Sequence, residues 1–200
     1  MGIEFNCDND YILEDERALL RPLAEDDYQN LLHFAMHQPQ LWKYSIVSAA
    51  GEEGMKKYIT DALKARSEGK EYPFIVWDKK AGKYAGSTRF YDIQIVNKTL
   101  QLGYTWYGEE CQRTGLNRHC KYLLLSFAFG DINMERVEFR ADANNERSIN
   151  AMKAIGCVPE GILRSTVPLA AGGRRDSIIL SILKSEWLSG GKERLKEKIR

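Results

Sequence analysis

Apolar positions along the chain follow two spacings, one of three and four residues and one of two, and their order predicts a mixed α/β architecture. From Leu116 the apolar residues fall at Cys120, Leu123, Leu124, Phe127 and Ala128, the spacing of one buried helical face. Met55, Tyr58, Ile59, Ala62, Leu63 and Arg66 repeat in the same way behind Glu52 and Glu53, whose charges suit the positive end of a helix dipole. An earlier helix carries Tyr28, Leu31, Leu32 and Ala35 after Pro22 and the acidic residues 25–27. Strands are predicted at 17–20, 74–77, 84–95 and 99–107, the last three joined through the turns DKKAGK and VNK as an antiparallel meander. Val137 and Phe139 alternate with Glu138 and Arg140, giving a strand over 136–141, and a short helix follows through Asn144 and Asn145 until Gly156 and Pro159 stop it. Two more strands, the second reading SIILSIL, precede a charged helical tail at 185–200.

Composition narrows the class. With 200 residues and 44% hydrophobic content the chain can bury one good core, so residues 1–200 read as a single domain with its core at about 17–184. Twenty-nine basic against twenty-eight acidic residues leave a net charge of +1, which gives no argument for nucleic acid or an anionic membrane as partner. Cys7, Cys111, Cys120 and Cys157 make no CxxC pair and no ligand-spaced set with His33, His37 and His119, so neither a metal centre nor a disulfide framework is expected. The longest apolar run, 123–129 with one serine, is far too short to span a bilayer, and the start of the chain is polar and acidic, so a cytoplasmic protein is expected.

The chemistry concentrates in 102–125, where an apolar strand runs into the loop QRTGLN at a helix start. The first turn of a helix presents N–H groups without partners, its dipole adds positive charge, and Gly115 lets backbone approach a ligand closely. Gln112, Arg113, Thr114, Gly115, Leu116 and Asn117 could therefore cradle a pyrophosphate, although a glycine between strand and helix is also ordinary connector chemistry. No GxxxxGKS/T run and no GxGxxG after a strand is present.

Residues 137–164, VEFRADANNERSINAMKAIGCVPEGILR, add a second pattern. A QxxGxG/A-type loop at a helix start, followed about thirty residues later by a strand and then NxxS and a glycine, resembles the GNAT superfamily of N-acetyltransferases. Asn145, Glu146, Arg147 and Ser148, then Gly156, then Glu160, Gly161, Leu163 and Arg164, together with Arg175 and Asp176, resemble its RimJ/RimL-like branch over nearly the whole chain. The resemblance implies the acyl-CoA N-acyltransferase fold, a mostly antiparallel mixed sheet of about seven strands flanked by helices, with the strands at 99–107 and 136–141 splayed apart. It implies acetyl-CoA as cosubstrate, its pantetheine arm between those strands against Thr105 and Trp106. It also implies that backbone N–H groups near Tyr104 to Trp106 polarise the thioester carbonyl, and that an amine acceptor attacks directly. No metal is implied, and a homodimer is compatible with it.

Two positions depart from the pattern: Asn117 stands where the loop usually ends in glycine or alanine, and the other is the catalytic acid. Many GNAT enzymes carry a tyrosine seven residues after the asparagine matching Asn145, and here that residue is Met152, which cannot donate a proton. The resemblance offers Ser148 instead, to hydrogen-bond the departing thiolate beside Asn145. Capping of a helix explains the same two residues and is compatible with that role. Trp42, Arg89, Tyr91 and Tyr104 are candidates for the acceptor pocket, with core packing as the other explanation of the aromatics. No carboxylate stands out as general base: Asp92 and Glu109 are near the right region but read better as solvated surface groups, a water chain could serve instead, and Cys111 reads as an ordinary loop thiol without a histidine partner. Two functions follow: an acetyl-CoA-dependent N-acetyltransferase acting on a protein N-terminus or a small amine or amino acid, or a non-catalytic acyl-CoA-binding sensor or scaffold.

Overall fold

The computed structural model describes residues 3–168 and 173–199, so residue 200 of the expected tail lies outside the described part. The chain runs β1 (Leu13–Glu14), β2 (Ala18–Pro22), α1 (Asp27–His37), α2 (Gly51–Ser67), β3 (Glu71–Asp78), β4 (Lys83–Gln94), β5 (Thr99–Tyr107), α3 (Leu116–Ser126), β6 (Arg136–Asp142), α4 (Glu146–Ala154), β7 (Val158–Pro168), β8 (Arg174–Leu183), α5 (Lys184–Glu186) and α6 (Lys192–Glu197). One eight-stranded sheet has the order β1-β2-β3-β4-β5-β6-β8-β7. The extra strand relative to the expected seven or so is β1, whose two residues pair with Leu20 and Leu19 and are too few to leave a period in the sequence.

Alternation along the strands sends side chains to opposite faces, and each face has its own core. Tyr72, Phe74 and Val76 of β3 join α3 on one side, while Ile75 joins α1 and α2 on the other. The tail is helical, but it is not an appendage. Trp187 and Leu195 are 2% and 1% exposed, and Trp187 packs against Phe129 and Tyr122. Charged residues on the outer face of this short helical segment mask two deep apolar anchors in any composition count.

The feature that positions the site lies in the middle of the sheet. β5 and β6 pair in parallel only at Thr99–Arg136, Leu100–Val137 and Gln101–Glu138, then separate, while β6 stays paired with β8 through Asp142. On its other edge β5 carries a bulge: Ser87 pairs with Trp106 but Arg89 pairs with Gly103, so β5 has one residue more than β4 over that interval. A bulge bends its strand and raises its twist, and here it turns β5 away from β6 to leave a wedge.

Candidate active site

The bulge rests on Tyr104, whose φ of 50° is left-handed, a conformation that costs a non-glycine residue on the order of 1 kcal/mol or more. Its surroundings hold it there. The Arg89 guanidinium lies 4.3 Å from the Tyr104 ring centre and 4.7 Å from that of Tyr58, and donates to Glu71 at 2.6 Å. Tyr91 meets Tyr104 edge-on at 5.1 Å. A β-carbon at Gly103 would stand 2.8 Å from the Tyr91 ring, so a larger residue there would have to displace that ring from beside Tyr104.

Beyond the bulge the wedge opens into a cavity of about 780 Å³. One side of it is built by the start of α3. Gly115 has a φ of 93°, and a β-carbon placed on it would meet no atom within 4 Å, so the backbone is exposed to the cavity where the first-turn amides emerge. Side chains brace this loop: Gln112 donates to the Tyr107 carbonyl at 2.9 Å and accepts from Arg147 at 2.7 Å, and the Thr114 hydroxyl donates to the Cys111 carbonyl. Asn145 caps α4, its side chain accepting from the Ser148 amide at 3.1 Å. The Ser148 hydroxyl makes no hydrogen bond among the described residues, and Ser148 lines the cavity with Asn145 and the buried Met152.

Thr105 lies on the floor. Its hydroxyl pairs with that of Thr88 at 2.7 Å and accepts from Lys121 at 2.9 Å. Burial pushes the Lys121 ammonium down to about 8 from the ordinary 10.5. The unfolded chain therefore holds this proton more tightly, and the Lys121 contribution to stability should rise as pH climbs from about 8 toward 10.5, by a total on the order of 3 kcal/mol, while the buried cysteine thiols, pushed up by burial, contribute in the opposite direction. Urea unfolding of the native protein and Lys121→Met across that range checks this: the difference in stability between the two should shift in favour of the native protein by about that amount as pH rises.

The remaining candidates divide. Tyr91, Tyr104, Thr105, Trp106, Gln112, Arg113, Gly115 and Asn117 line the cavity. Trp42 and Arg89 do not: Trp42 is 4% exposed and packs on Trp106 at 5.3 Å, and Arg89 is buried behind Tyr104. Trp42→Ala should therefore cost roughly 3–5 kcal/mol of stability and affect both substrates alike, as thermal unfolding and bisubstrate kinetics would report. Thr114 and Leu116 belong to the loop without lining the cavity, Leu116 being fully buried. Asp92 and Glu109 lie outside the lining, and burial pushes the Cys111 thiol up, away from nucleophile chemistry.

Several lining residues give no sign of a site role in the sequence, although Arg147 and Arg175 stand in the patterns that carry the family resemblance. Arg118, Lys121 and Arg147 join Arg113 on the α3 side, and Tyr44, Arg140 and Arg175 lie on the walls away from that loop. The cavity collects seven basic side chains, Lys43 completing the set, against the single carboxylate of Asp142, although the chain as a whole is nearly neutral. Such a field favours an anionic ligand. Away from the cavity, the His119 Nδ1 sits 2.8 Å from Asp15 and 3.9 Å from Glu16, three groups that could face a cation, but Asp15 already accepts the amides of Arg17 and Ala18.

Comparison with known proteins gives the same picture. A family model described as an acetyltransferase (GNAT) domain matches residues 17–158. YdaF of Bacillus subtilis (strain 168), named for ribosomal N-acetyltransfer, is 28% identical over 106 residues, 53% of this chain and little more than half, 57%, of that relative. In fold, the chain is similar to a GCN5-related N-acetyltransferase from Brucella melitensis (TM-score 0.87, 23% identity, 95% of this chain and 86% of that one). It is similar also to Mycobacterium smegmatis RimJ, solved in complex with CoA-disulfide (TM-score 0.77, 16% identity, 94% and 93%). The split sheet, the glycine loop at a helix start and the family match over most of its length together place this chain in the GNAT acetyltransferase family.

Proposed function

We propose that this protein transfers the acetyl group of acetyl-CoA to a primary amine, on a protein N-terminus or on a small amine or amino acid, by direct attack with both substrates bound. The observation that carries this reading is the continuity of the wedge between β5 and β6 with the open backbone at Gly115. The residues present fit acetyl-CoA. The amides of 112–117, with Arg113, Arg118 and Arg147 around them, suit phosphates, and the divergent edge of β5 at Thr105 and Trp106 leaves strand backbone for a pantetheine arm.

Acetyl-CoA supplies the activated acetyl group. The chain's own residues position it and bias the proton and charge. The bulge at Tyr104 takes backbone out of the regular ladder, where its N–H groups can face a developing oxyanion, a contribution of about 3 kcal/mol for a single donor. The Ser148 hydroxyl, without a hydrogen-bond partner among the described residues, is a proton-bearing group on α4 that lines the cavity near Met152, which offers none. Holding an amine against the thioester in this enclosure converts a bimolecular encounter into an oriented one.

Release of free thiol from acetyl-CoA, measured against a panel of amines, tests the reading. Amine-dependent release is expected. Tight CoA binding with no release for any amine would instead favour the acyl-CoA-binding sensor or scaffold.

A further inference from the structure

On the side of the cavity bounded by the connection between α1 and α2, Arg175 of β8 is 5% exposed and lines the wall. Other buried or half-buried arginines have their counter-ions: Arg17 pairs with Asp78, Arg21 with Asp27, Arg89 with Glu71 and Arg136 with Glu138. Arg175 has none within 4 Å among the described residues. Its Nη1 donates to the Tyr44 carbonyl at a long 3.4 Å, and its buried Nε has no hydrogen-bond partner. A guanidinium so placed loses water without regaining an anion, and burial lowers its pKa accordingly.

The neighbouring charges do not supply the missing partner. Asp142 is the cavity's carboxylate and its field reaches Arg175, but its Oδ1 already accepts from the Asn144 amide at 2.8 Å and from that residue's side chain at 3.1 Å. Arg140 adds a second positive charge, with its Nε held by Glu138 at 2.7 Å. The Tyr91 hydroxyl, also nearby, is kept protonated by burial. The phosphate-compatible loop at Gly115 belongs to the α3 side, whereas Arg175 is tied to Tyr44.

We propose that the acceptor amine carries a carboxylate and that Arg175 binds it. Resting on the acetyltransferase reading above, this narrows the acceptor to an anionic amine: a free amino acid, or a peptide N-terminus with an acidic residue close behind. Arg is suited to such recognition because its planar fork meets a carboxylate with two parallel hydrogen bonds.

The experiment compares thiol release for free L-amino acids with release for the corresponding amino acid amides, and for short peptides bearing Asp or Asn at the second position. In the native protein the carboxylate member of the productive pair should show a kcat/KM at least tenfold above its neutral partner. Arg175→Met should collapse that ratio toward one by raising the acceptor's KM, Arg175→Lys should retain part of it, and the affinity of each variant for CoA by calorimetry should stay within about twofold. A preference confined to amino acids assigns the carboxylate to a small substrate, and one confined to peptides assigns it to a protein N-terminus; either supports the inference. Neutral acceptors used as well as acidic ones would overturn it, as would a loss in Arg175→Met that falls on CoA. Silence from every amine would overturn the acetyltransferase reading, and this inference with it.

Discussion

Gly115→Val should weaken CoA binding at least tenfold, about 1.4 kcal/mol or more, while leaving the fold intact. The position combines two independent constraints. Its φ of 93° lies in the left-handed region, where a β-branched side chain strains the backbone by on the order of 1–3 kcal/mol. Nothing within 4 Å of the added β-carbon would be displaced, so the core is not disturbed and the new side chain projects into the space a phosphate would take. Calorimetric titration of CoA, with thermal unfolding as the control for folding, separates these contributions. Unchanged affinity would move the pyrophosphate site away from this loop.

Ser148→Ala should lower kcat by roughly one to two orders of magnitude, the scale of one proton-donating contact, with little change in CoA affinity. The geometry separates this effect from helix capping, which the sequence alone could not do. The cap of α4 uses the Asn145 side chain and the Ser148 amide, and alanine keeps that amide. Asn145→Ala is therefore the structural control: it should cost about 1 kcal/mol of stability through the lost cap. If Ser148→Ala shifts only the melting temperature and leaves kcat alone, the hydroxyl has no part in the chemistry.

The elements with long periods were legible in the sequence because one buried face dictates their spacing. α2 and β5 come out within a residue or two of their expected bounds, and the glycine at the start of α3 announces itself through the loop pattern. The bulge was not legible, since tyrosine has no tendency toward a φ of 50° and is held there by Arg89 and Tyr91, which lie far away in the chain. Trp42 shows the limit from the other side. An aromatic in a connection reads equally as pocket wall or core, and only its contact with Trp106 decides for core. Charge was the least readable property. A net +1 averages away the basic cavity, because Arg140 comes from a strand edge, Arg147 from the start of α4 and Arg175 from a strand some thirty residues further on, and only the closed sheet brings them together.

The most direct test of the whole arrangement is a crystal structure of this protein with CoA. The expected result has the pyrophosphate on the amides of 112–117, the pantetheine arm in the wedge between β5 and β6, and the thiol within hydrogen-bond reach of the Ser148 hydroxyl. CoA bound outside that wedge, or a thiol directed away from Ser148, would contradict it.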